Sequence, residues 1–109
     1  MQIIEAAALR DRLARNGIHL LDVRSAEELE LARIDAPLTH IPMQELPQRL
    51  AELSGISNPD APIAVLCHHG MRSEMAARFL ERNGFTDVFN VAGGIDAWSV
   101  SVDPSVPRY

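Results

Sequence analysis

One stretch in the C-terminal half restricts the fold more than any other. Pro62-Ile63-Ala64-Val65-Leu66 is a short apolar run opened by a proline, which cannot donate to a strand ladder. Its length and branched side chains predict a buried strand. Cys67-His68-His69-Gly70 follows at once, and Met71-Arg72-Ser73 opens a segment with helical periodicity. The chain's one cysteine therefore stands where a strand ends and a helix is about to start. In open α/β sheets, ligands bind at the carboxyl ends of strands. The free amides of a tight loop and of a helix start make a cradle for anions. A sulfur in that cradle is favoured as the thiolate, which is its nucleophilic form.

The rest of the chain alternates between the same two kinds of segment. Residues 2–4 predict a short strand, and 5–15 a helix with Ala8, Leu9 and Leu13 facing inward. Asn16-Gly17 ends that helix, with the glycine expected in the left-handed conformation. A mostly apolar strand over 18–23 belongs inside the sheet. Ser25 can cap a helix over 26–32, with Glu28 completing a capping box. A helix over 44–53 requires Pro47 to lie in its first turn. Residues 54–62 are a loop by composition. The helix over 72–82 is expected to bury Met75, Ala76, Phe79 and Leu80, and to end at Asn83-Gly84 as the first ends at Asn16-Gly17. A last strand over 87–91 and the Gly93-Gly94 turn lead into a short helix ending near Trp98. Residues 99–109 carry Pro104 and Pro107 and form a tail that either docks or stays mobile. Strand–helix alternation defines the α/β class, with a mainly parallel central sheet.

A length of 109 residues predicts a single domain over 1–109. The formal net charge of −5 disfavours nucleic acid and anionic membrane as partners. No apolar run approaches the roughly 20 residues that span a bilayer. The first residues lack the basic and apolar regions of a signal peptide, and a lone cysteine suits a reducing compartment, so a cytoplasmic location is expected. No cluster of His and Cys is spaced for zinc, and no metal or cofactor is implied.

Within the loop, Arg72 is a cation at a helix start. That placement opposes the helix dipole unless an anion is also present. It singles out Arg72, with the loop amides, as an anion anchor near Cys67. His68 and His69 are adjacent on a tight loop, where side chains point apart. They are expected to donate amides and to line the rim. Met71 is placed to touch a ligand. Asp22 and Arg24, at the end of a neighbouring strand, are expected to form a supporting ion pair, and His19 and His40 to be structural.

Cys67-His68-His69-Gly70-Met71-Arg72-Ser73 resembles the active-site loop of rhodanese-like domains, the thiosulfate sulfurtransferase family. Leu20-Leu21-Asp22-Val23-Arg24 is similar to that family's second-strand signature, and Ile41-Pro42-Met43 to its mid-chain Ile-Pro element. Residues 90–98, Asn90 to Trp98, are similar to its closing strand–turn–helix. The resemblance implies a rhodanese-like fold with helices on both faces of the sheet. It implies Cys67 as catalytic nucleophile, carrying a persulfide, and His68, His69, Gly70, Met71, Arg72 and Ser73 as substrate-binding residues. The implied partners are a small sulfur anion such as thiosulfate and a protein that donates or accepts sulfur. Ala32-Arg33 and Pro37-Leu38 depart from the family pattern, and are expected at the pocket edge, where substrate choice is made. One alternative is a non-enzymatic sulfur-carrier or partner-binding module. Another is a phosphatase or arsenate reductase, which the spacing disfavours. Cys67 and Arg72 enclose four residues, whereas the tyrosine-phosphatase pattern encloses five.

Overall fold

The computed structural model describes residues 1–56 and 58–109. Among them are β1 (Gln2–Ile4), β2 (His19–Asp22), β3 (Thr39–His40), β4 (Ile63–Leu66) and β5 (Val88–Val91). These form one sheet in the order β1-β5-β4-β2-β3, and every neighbouring pair is parallel. The connecting helices are α1 (Ala6–Ala14), α2 (Ala26–Leu31), α3 (Leu46–Ile56), α4 (Met71–Arg82) and α5 (Gly94–Ser101). A 3-10 turn over Met43–Glu45 leads into α3 and leaves Pro47 in the first turn of α3, where its missing N–H costs nothing. No described helix is long and apolar enough to cross a membrane.

β4 lies at the centre and is buried along its whole length. Its alternation divides the core in two. Ala64 and Leu66 pack on one face with Leu9 of α1 and Ile95 and Trp98 of α5. Ile63, Val65 and Cys67 pack on the other with Leu46 and Leu53 of α3 and Ala76, Ala77 and Leu80 of α4. The period of two therefore carries on past the end of β4 and aims Cys67 toward α4. Helices cover both faces, so the strands read as continuous apolar runs.

Several local expectations are corrected. In α1 the inward stripe is Ala6, Leu9 and Leu13, and Ala8 is exposed. The two helix stops differ by one residue of phase. Arg15 is the C-cap of α1, so Asn16 takes the left-handed position at φ 53°. Asn83 is the C-cap of α4, so there Gly84 takes it at φ 93°. Ser54 and Gly55 are the last helical turn of α3 instead of loop, and Ser57 of that expected loop lies outside the described residues. Met75 is 62% exposed, because α4 turns Ser73, Ala76, Ala77 and Leu80 to the sheet. α5 continues past Trp98 to Ser101, so the tail proper is residues 102–109. It docks: Val106 is buried in the core beside Trp98.

Candidate active site

Cys67 leaves the C-terminal end of β4 with 1% of its surface exposed. The loop turns back at Gly70, at φ 111°, and α4 begins at Met71. The turn brings the Gly70 N–H to 3.0 Å from Cys67 Sγ, and the buried Ser73 Oγ to 3.2 Å. Ser73 donates its hydroxyl to Asn90 Oδ1 on β5, so in the neutral site the thiol is the donor to Ser73. Asn90 Nδ2 donates to the Gly70 carbonyl at 3.0 Å and ties the turn to the sheet. The sulfur thus meets one backbone donor and one hydroxyl at the head of α4, a helix end whose first amides have no acceptor inside the helix.

The other side of the loop rests on α5. The amides of Ile95 and Asp96 donate to the carbonyls of Cys67 and His68 at 2.9 and 3.2 Å. That approach needs glycine at position 94. At its φ of +60°, a Cβ would sit 2.5 Å from the Cys67 carbonyl oxygen and nearer still to that of His68.

The anion that Arg72 calls for is inside the chain. Its guanidinium grips Glu28 of α2 as a fork, Nη1 to Oε1 at 2.6 Å and Nη2 to Oε2 at 2.8 Å. Arg72, expected to anchor a substrate anion, is thus engaged by a carboxylate of the chain itself. The bond to Arg72 holds the Glu28 carboxyl far below its usual range, with a smaller push from Tyr109. The same bond raises Arg72. Glu28 also completes the capping box on Ser25.

Behind this pair lies the expected one. Arg24 and Asp22 are fully buried, with Nη2 to Oδ2 at 2.7 Å and Nε to Oδ1 at 3.0 Å. Arg24 spends further donors on the carbonyls of Glu28 and Ala32. His19 bonds Thr39 and His40 bonds the Arg24 carbonyl, as structural histidines do.

The two loop histidines do not point apart. Their rings stack at 3.9 Å, and the ring of Tyr109 stacks on His68 at 3.8 Å and 10°. Burial, helped by His69, pushes the His68 imidazole below its ordinary value. Met71 is 79% exposed at the head of α4. Pro37 and Leu38 are not at this site. They line a cavity of about 630 Å³ at the opposite, N-terminal edge of the sheet, with His19 and Pro62. Ala32 and Arg33 line a groove against Val106 and Pro107 of the tail. Sequence reasoning missed Glu28 as Arg72's partner, Asn90 as the brace and Tyr109 as a neighbour of the loop. Only Asn90 left a signal, as a polar residue in the buried run Val88-Phe89-Asn90-Val91.

A parallel α/β sheet with a cysteine loop between its central strand and the next helix defines a class built around one sulfur. The rhodanese-like domain model matches residues 5–101, and the chain belongs to that family. It is 30% identical over 95 residues to the thiosulfate sulfurtransferase GlpE of Vibrio cholerae, covering 87% of this chain and 85% of that one. It is 43% identical over 82 residues to the putative sulfur carrier protein YrkF of Bacillus subtilis, covering 75% of this chain. A rhodanese-related protein from Thermoplasma volcanium superposes with a TM-score of 0.80 at 33% identity, each chain covered completely. The chain spans less than half the length of some longer relatives, 42% for YrkF and 33% for a rhodanese-like/PpiC domain protein of Arabidopsis thaliana.

Proposed function

We propose that the protein is a sulfurtransferase that carries sulfane sulfur on Cys67. The observation behind this reading is the sulfur seated under the Gly70 N–H and Ser73 Oγ, at the head of α4. The thiolate attacks the outer sulfur of a donor such as thiosulfate. A new S–S bond forms at Cys67, the donor's S–S bond breaks, and its electron pair leaves with sulfite. The product is a Cys67 persulfide anion, held by the loop amides. An acceptor nucleophile then takes the terminal sulfur and returns Cys67 as thiolate. Cyanide would leave as thiocyanate.

One observation favours a second reading, a carrier loaded by a protein or low-molecular-weight persulfide. Arg72 is already engaged by Glu28, so a free dianion must compete for it in a chain of net charge −5. Intact mass separates the two. Incubation with thiosulfate should add about one sulfur, ~32 Da, removed by cyanide. Loading from glutathione persulfide but not from thiosulfate would establish the carrier reading instead. A Cys67→Ser protein that still releases thiocyanate at the wild-type rate would sink both. Turnover of an aryl phosphate should stay at background.

A further inference from the structure

The tail ends in contacts that bear on the loop from three directions. Arg108 grips Asp96, in the first turn of α5, with Nε to Oδ1 at 2.8 Å and Nη2 to Oδ2 at 3.2 Å. The Tyr109 ring lies flat on His68, the residue after Cys67. Its hydroxyl donates to Glu28 Oε2 at 2.6 Å and accepts from Arg24 Nη1 at 3.0 Å. One phenol therefore joins the buried Asp22–Arg24 pair to the Glu28–Arg72 pair, and through it to the head of α4. Residues 102–109 lie beyond the stretch that the family model matches.

We propose that residues 102–109 form a strap that seats the cysteine loop, with Tyr109 as its positioning residue. The proposal takes its purpose from the sulfur-transfer reading, which makes loop geometry matter, but its contacts stand independently of that reading. The ring clamps the loop by stacking against His68. The hydroxyl keeps Glu28 turned toward Arg72, because its donor bond and the two guanidinium bonds must share one carboxylate orientation. Burial and the bond to Glu28 push the phenol up to about 12, so it stays a donor throughout the usable pH range. Beneath the stack, His68 Nε2 is sealed from solvent and has no hydrogen-bond partner among the described residues. An unpartnered buried nitrogen destabilises the closed arrangement. The tail contacts offset this and keep the loop shut.

Tyr109→Ala, Tyr109→Phe and Arg108→Ala in the full chain test the strap. The first readout is the rate at which iodoacetamide alkylates Cys67 near neutral pH, which reports loop opening. Losing one aromatic stack should raise that rate about three- to tenfold in Tyr109→Ala. Tyr109→Phe keeps the ring but loses the hydroxyl that orients Glu28, and should lie between wild type and Tyr109→Ala. Arg108→Ala, which loosens the tail without touching His68, should give a smaller rise. The second readout is the NMR titration of His68, whose ring is faced by His69, by Asp96 of α5, by Glu28 of α2 and by Tyr109. Tyr109→Ala should move it up toward the ordinary histidine value of 6.5, and Tyr109→Phe should leave it low. Sulfur transfer should fall in the same order as alkylation rises. Alkylation within twofold of wild type, with an unmoved His68 titration, would show that the tail is a passive surface contact. A wild-type protein that takes up no sulfur would defeat the functional reading, while alkylation and titration would still decide the strap.

Discussion

Glu28 accepts more bonds than its place in a six-residue helix requires. Its carboxylate takes Arg72 as a fork, the Tyr109 hydroxyl, and the backbone N–H and hydroxyl of Ser25. Each of these favours the charged form, which is why the carboxyl is held so far below its usual range. A lowered folded-state pKa adds stability that is complete above the ordinary value of 4.5 and is lost as the pH falls below it. Arg72 is partly exposed, so solvent screens the pair. Its discounted contribution is on the order of 1 kcal/mol. Glu28→Gln should therefore lower the urea midpoint at pH 7, and the gap to wild type should narrow steadily as the pH falls below about 4.5, with part of it persisting at pH 3, where the folded carboxyl is still charged. A gap of the same size at both pH values would mean that shape at position 28 matters and charge does not.

At the scale of elements, the site is made where three of them meet: the end of β4, the head of α4 and the head of α5. Gly94 is what lets α5 approach, and it gives a sharp test against Gly55, a glycine of α3 on the other face of the sheet. Gly94→Ala forces a left-handed alanine into the carbonyls of Cys67 and His68, at a cost of at least about 2 kcal/mol. For a chain of this length that lowers the melting temperature by roughly 8 °C or more. Gly55 has nothing within 4 Å of a Cβ, and Gly55→Ala should leave the melting temperature unchanged or raise it slightly. Equal effects at the two positions would remove the crowding argument. The order of elements was legible in the sequence because apolar period and turn chemistry are local signals. Cys67 and its loop were legible for the same reason. The partners of that loop were not. Glu28 stands 44 residues from Arg72 and Tyr109 stands 85 from Arg24, and no local pattern reports such pairings. Met75 was misplaced because helical periodicity shows that a stripe exists, while the sheet decides which side of it is buried.

Over the whole molecule, the candidate site faces a charge balance that its own residues leave unchanged. Arg24 is neutralised by Asp22 and Arg72 by Glu28, so the two guanidinium groups nearest the loop add no net positive charge to the field there. The chain as a whole carries −5. A small anion approaching Cys67 should therefore be repelled by the global field, with attraction left to backbone amides at close range. The two contributions respond differently to salt. Raising ionic strength from about 20 to about 200 mM shortens the screening length from roughly 20 to 7 Å, which weakens the long-range field and barely touches a hydrogen bond at 3 Å. Iodoacetate and iodoacetamide attack the same sulfur and differ mainly in charge, so the ratio of their rates at Cys67 isolates the field. That ratio should rise about twofold over this range of salt. The Glu28→Gln protein, whose Arg72 is unpaired, should show a smaller rise or a fall. A ratio that falls with salt in the unmodified protein would mean that a free cation outweighs the net charge at the loop. Glu28 would then not be holding Arg72 in solution.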